Sequence, residues 1–126
     1  MSTVAEHEGY QARLKELLES QTEVTGAVIS TEDGHALAGY SRRELSGERI
    51  AAMSSSLVGL GGTMAHTVGQ GENEFVIVQN NDGYVATLRI DNRHLLTVAA
   101  KAGINLGMLL TLSRNTAKDL AAIVGK

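Results

Sequence analysis

At 126 residues the chain can bury one hydrophobic core and is too short for two, so a single domain over residues 1–126 is expected. Its 43% hydrophobic and 20% charged residues are the proportions of a folded protein, while a net charge of −3 and 3% aromatics supply neither the basic field nor the stacking platforms that nucleic acid requires. Cysteine is absent, which excludes disulfides, thiol catalysis and thiolate metal sites.

Residues 1–10 hold Glu6, His7 and Glu8 where a secretion signal would be apolar, and no run nears the roughly 18 apolar residues of a membrane span. A cytoplasmic protein without membrane insertion is expected. Thr3-Val4-Ala5-Glu6 fits a capping box, with the Thr3 hydroxyl accepting from the Glu6 amide and the carboxylate reaching back. The helix that follows carries Val4, Tyr10, Leu14, Leu17 and Leu18 as one apolar stripe and ends near Ser20.

Residues 25–30 are short, partly β-branched and apolar. Glu32-Asp33-Gly34 behind them signals a tight turn before a second strand over 35–40. After a polar stretch, Ile50, Met53, Leu57, Leu60 or Gly61, Met64 and Val68 recur at three- and four-residue steps, which predicts a helix from Glu48 to about Val68. Apolar runs at 75–78 and 84–90 flank Asn80-Asn81-Asp82-Gly83, a strong hairpin signal, and a further strand covers 94–100. Both faces of 76–78 and of 95–98 are apolar, as in a sheet covered on both sides. Asn105 caps a closing helix whose Leu106, Leu109, Leu110, Ala117, Leu120, Ala121 and Val124 share a face. The predicted order is α-β-β-α-β-β-β-α, an α+β fold.

Five glycines within residues 57–71 raise the question of a phosphate loop. A Walker loop needs a lysine that residues 16–100 do not contain. Gly59-Leu60-Gly61 would need glycine or alanine where Met64 stands, and it sits inside a helical period instead of after a strand. The structural alternative is a small-residue face, Ser54, Ser55, Ser56, Gly59, Gly61 and Gly62, that lets the helix lie close to a neighbour, with Gly69 and Gly71 as its stop and the loop beyond. His7, His35, His66 and His94 fall on four elements without metal-ligand spacing, so no metal and no cofactor is expected. Ser54-Ser55-Ser56 lacks a nucleophile elbow, and no acid–base carboxylate pair stands out. Arg42-Arg43 is the one cluster placed to reach into a partner's nucleotide site, where an arginine stabilises charge on the transferred phosphate; read plainly, it is a solvated loop.

Three stretches together carry a family resemblance. Residues 25–34, Thr25-Gly26-Ala27-Val28-Ile29-Ser30-Thr31-Glu32-Asp33-Gly34, resemble the opening hairpin of the roadblock family (dynein light chain roadblock type), in particular its bacterial MglB-like members. Residues 48–57 resemble the start of its central helix, and Leu95-Leu96-Thr97-Val98-Ala99-Ala100 through Asn105-Leu106-Gly107 its last strand and the start of its closing helix. The resemblance implies a five-stranded antiparallel sheet, roadblock/profilin-like, with the first and last helices on one face and the central helix on the other. It also implies a homodimer in which central helices pack together and sheets join edge to edge. Met53, Leu57, Leu60 and Met64 would fill that interface, Gly59, Gly61 and Gly62 would allow close approach, and Phe75, Val76, Ile77 and Val78 would pair with their copies. An uncovered strand that apolar is otherwise an aggregation hazard.

The partner implied is a small Ras-like GTPase, whose nucleotide cycle a non-enzymatic homodimeric regulator would modulate; such members often insert no arginine of their own, which weakens Arg42 and Arg43 as candidate contacts. The alternatives are a scaffold dimer with no effect on GTP hydrolysis and a small ligand-sensing domain, which would need an apolar pocket with converging polar groups.

Overall fold

The computed structural model describes residues 3–124. Three helices and five strands follow in the order α1 (Val4–Ser20), β1 (Val24–Thr31), β2 (Ala36–Ser41), α2 (Gly47–Thr67), β3 (Val76–Asn80), β4 (Gly83–Arg89), β5 (His94–Lys101) and α3 (Leu106–Ala121). All neighbouring strands are antiparallel, in the spatial order β2-β1-β5-β4-β3. The α+β order read from the sequence is the order found.

Each helix begins on a side-chain cap. The Thr3 hydroxyl accepts from the Glu6 amide at 3.1 Å while the Thr3 amide donates to the Glu6 carboxylate at 2.8 Å, which completes the capping box. Ser46 accepts from the Arg49 amide at 3.3 Å and Asn105 from the Met108 amide at 2.9 Å, so α2 and α3 each have an otherwise orphaned donor satisfied.

The core lies between the sheet and the α1/α3 layer. Tyr10, Leu14, Leu17 and Leu18 of α1 and Leu109 and Leu120 of α3 close over Ala27, Ile29, Ala86, Leu88, Leu96 and Val98. Each of the leucines is almost wholly shielded, and burial on that scale contributes roughly 1.5–3 kcal/mol per side chain. Arg13 donates to Asp119 at 2.8 Å and ties the two helices at the rim.

Three details differ from the sequence pattern. Val4 lies 77% exposed, because the stripe of α1 starts contributing only at Tyr10. The closing helix stops at Ala121, which is itself exposed; Val124 reaches the core after the last turn, its amide donating to the Leu120 carbonyl at 3.0 Å. The expectation of cover on both faces holds for β5 but not for β3, where Ile77 is 39% exposed, since β3 is an edge and lacks a neighbour on one side.

Candidate functional site

The central helix α2 stands alone on the second face of the sheet. Of its 21 residues only Ala51, Ser54 and Val58 are buried. The helix crosses near one end of the strands. The Ser55 hydroxyl donates to the Glu32 carbonyl at 2.6 Å in the β1–β2 turn. Further on, a Cβ at Gly61 would stand 2.7 Å from Cγ2 of Val76 at the start of β3. Any larger residue at 61 would force Val76 or the helix to shift, so glycine lets α2 descend onto β3.

This path leaves the other half of the sheet face bare. Between it and α2 lies a cavity of about 310 Å³, walled by Ile50, Met53 and Leu57 of the helix and by Val28, Val78 and Val85 of the strands. At its rim Leu45 lies over Gly26, where a Cβ would come within 2.8 Å of the Leu45 Cδ1 atom. The Ser54 and Thr97 hydroxyls that also border the cavity are bonded to each other at 2.6 Å, so the trough presents a nearly pure hydrocarbon surface.

Along the flank of α2 beside the trough run Met53, Leu57, Leu60 and Met64 at steps of four, three and four, and Val68, the residue just past the helix, lies four further on. Met53, Leu60, Met64 and Val68 are 55%, 66%, 70% and 61% exposed. These side chains form one apolar seam along the helix, open to solvent at Met53, Leu60 and Met64. Leu57 is half-buried at the mouth of the trough. Val68 belongs with the seam, and Ile50 and Leu45 with the trough, although the sequence pattern alone did not set them apart as site residues.

The glycines of α2 divide. Gly61 serves contact with β3, but Cβ atoms at Gly59 and Gly62 would meet nothing within 4 Å. At about 100° per residue both stand on the flank away from Leu60 and Met64, so close approach along the seam does not depend on them.

The β3 residues also divide. Val76 and Val78 face α2 and the trough, whereas Ile77 pairs with Ala86 on the α1/α3 side. Phe75 precedes the strand and packs toward α3, where the Arg114 guanidinium lies 4.9 Å from its ring centre. Among the described residues no strand lies beside the outer edge of β3.

The two arginines after β2 have different environments. Arg42 turns inward: its guanidinium donates to the Val24 carbonyl at 3.0 Å, to the Gln21 carbonyl at 3.3 Å and to the Leu18 carbonyl, satisfying the C-terminal end of α1. It is a clamp within the subunit, which makes it a poor candidate for reaching a partner. Arg43 is exposed, and its carbonyl accepts from the Ser41 hydroxyl.

At the end of the sheet where α2 crosses, His94 pairs with Asp91 at 2.8 Å and His35 stands 3.8 Å from Asp33. The Thr31 hydroxyl, bonded to Asp33, holds that carboxyl below its ordinary value. Among the described residues no group of three or more His, Cys, Asp or Glu is placed to hold a metal ion, and no helix is long and apolar enough to cross a membrane.

These features define the class: a small sandwich of helices on an antiparallel sheet, whose most open apolar surface is carried by the lone central helix. Its sequence places it further, since the Roadblock/LC7 domain model matches residues 10–100 and the chain belongs to that family. No curated protein matches it in sequence. Among solved structures it is similar to the gliding protein MglB of Thermus thermophilus at 16% identity, with a TM-score of 0.86 over 98% of this chain and 93% of that one. An MglB with a tetrameric arrangement gives 17% identity and a TM-score of 0.88 over 98% and 93%. A Roadblock/LC7 domain from Streptomyces avermitilis gives 19% and 0.85 over 92% and 98%. At these identities the likeness is one of fold.

Proposed function

We propose that this chain acts as a non-enzymatic homodimer that binds a small Ras-like GTPase and modulates its nucleotide cycle. The observation that carries this reading is the exposed seam of Met53, Leu57, Leu60 and Met64 lying beside an apolar trough and an unpaired β3 edge. Four such side chains from each of two copies offer on the order of 10 kcal/mol on burial, the scale of the freedom lost in association. Pairing of β3 with its own copy would satisfy the backbone groups that the edge leaves open, and a two-fold axis beside β3 would bring the two seams together.

Membership of the Roadblock/LC7 family and the fold shared with MglB support a regulatory role over a catalytic one. Regulation would work through differential affinity, because a partner shifts a switch-loop equilibrium only as far as it prefers one conformation. The test is binding of one small Ras-like GTPase, loaded in turn with GDP and with a GTP analogue, together with its hydrolysis and exchange rates. A preference of about tenfold or more for one form, with a changed rate, is expected. Equal affinity for both forms removes the regulatory role, and binding without a change in turnover makes the dimer a scaffold.

A further inference from the structure

The floor of the trough beside α2 is a single cross-strand row. Gly26 of β1 stands opposite Ala99 of β5, Ala99 opposite Val85 of β4, and Val85 opposite Val78 of β3, and all four border the cavity. Four adjacent strands spaced about 4.8 Å apart make this row about 14 Å long. The next row on one side, Val28-Thr97-Thr87-Val76, is where α2 crosses, with Thr97 bonded to Ser54 and Val76 against Gly61. By the two-residue alternation of strands, the next row on the other side is Lys101-Gly83-Asn80, exposed at both ends and bare of a side chain in the middle. The trough is thus a straight slot, walled by α2 along one side and open to water along the other. Leu45 lies over its β1 end.

The helix does not close this slot, because its place on the sheet is fixed by the Ser54–Thr97 bond, by the Ser55 bond to the Glu32 carbonyl and by the fit of Gly61 on Val76. Water is a poor occupant. A buried water needs several polar partners, and the two side-chain hydroxyls on the lining, Ser54 and Thr97, are bonded to each other. Spread over about 14 Å, the 310 Å³ leaves a mean section of about 20 Å², the girth of one extended alkyl chain. A second α2, about 10 Å across, does not enter a slot of that section. At ordinary carbon–carbon bond lengths the row takes a chain of about ten carbons. Among the described residues none that borders the cavity is charged, which favours an uncharged ligand. We propose that the slot binds a free, uncharged, single-chain amphiphile, its alkyl chain laid along Gly26-Ala99-Val85-Val78 and its polar end in water. A two-chain bilayer lipid finds no room for its second chain.

The site needs no GTPase, so it stands or falls apart from the function proposed above. The experiment is calorimetric titration of the full chain with 1-decanol and with 1-adamantanol, which folds the same number of carbons into a cage. The wild type should bind 1-decanol with a Kd of about 10 µM and the cage at least about tenfold more weakly. Ala99→Leu and Val85→Phe fill the row from two different strands, and each should weaken 1-decanol by more than about tenfold without lowering the melting temperature. Leu60→Asp, outside the slot, should bind as the wild type does. Independently of any variant, the methyl resonances of Val28, Val78 and Val85 should shift on addition of 1-decanol. No binding of 1-decanol up to about 200 µM overturns the proposal, as does equal affinity for the cage. Methyl shifts confined to other residues, or filled variants that bind as the wild type does, overturn it too, by placing the chain elsewhere. Binding by Leu60→Asp alone also overturns it, because a side chain of a second copy then occupies the slot in the wild type.

Discussion

Ser54 of α2 and Thr97 of β5 share a hydrogen bond of 2.6 Å at the centre of the helix–sheet contact, and Thr97 is bonded in turn to Thr87 of β4 at 3.2 Å. All three side chains are buried, so a short chain of hydroxyls holds α2 in a place where most helices would use leucine. Ser54→Ala leaves Thr97 with one partner fewer and should cost about 1–2 kcal/mol in urea unfolding. Replacing Ser54, Thr97 and Thr87 together with Ala, Val and Val should cost less than the single changes sum to, because no buried donor or acceptor is then left alone.

The glycines of α2 give substitutions of opposite sign. Gly61→Ala drives a methyl into Val76 and should lower stability by about 1–3 kcal/mol. Gly59→Ala and Gly62→Ala meet open space and should each raise it by about 0.5–1 kcal/mol through helix propensity alone. Thermal unfolding of the three variants checks this, and a loss of stability at Gly59 or Gly62 would place a neighbour on that flank.

Arg42→Ala removes three hydrogen bonds, to the Leu18 and Gln21 carbonyls at the end of α1 and to the Val24 carbonyl at the start of β1, and should destabilise the fold by about 1–3 kcal/mol while leaving affinity for a GTPase unchanged. Arg42→Lys should recover less than half of the loss, since an ammonium cannot reproduce the planar fork that reaches several carbonyls at once. Paired measurements of unfolding and of GTPase binding separate the clamp from a contact residue.

Acid should loosen the turn between β4 and β5. Burial pushes the Asp91 carboxyl up, but donation from the Arg93 amide and the His94 ring, each at 2.8 Å, outweighs it and holds the group below its ordinary value of 3.8. A carboxylate depressed in the folded state contributes stability above 3.8 that is lost as pH falls through the lower folded value. The wild type should therefore lose stability below about pH 4 more steeply than Asp91→Asn, as measured by urea unfolding across that range.

Much of the fold was legible because local signals and tertiary packing agree. Thr3 with Glu6 and Asn105 mark real caps, and the leucine stripe of α1 is the stripe that forms the core; the Ser46 cap of α2 lay in a stretch read only as polar. The spacing of Met53, Leu57, Leu60 and Met64 announced the helix that carries them, whereas their place at an interface came only from the family resemblance. Where the sequence fell short, the cause is long-range geometry. Asp82-Gly83 reads as a turn that wants a positive φ, yet Gly83 is the first residue of β4, without a positive φ, and a Cβ there would collide with the Ala100 carbonyl oxygen. Arg42 and Arg43 are adjacent and chemically alike, and only the nearness of the α1 carbonyls sends one inward. The trough lies between segments far apart in the chain, and no periodicity within one of them could announce it.

The central proposition is that two copies bury the seam of α2 against each other. It is tested most directly by the mass of the particle in light scattering at about 10 µM, where an affinity tighter than micromolar holds a dimer together, for the wild type and for Leu60→Asp with Met64→Asp. The wild type should have twice the chain mass and the variant should be a folded monomer; a monomeric wild type, or a variant that remains fully dimeric, contradicts it.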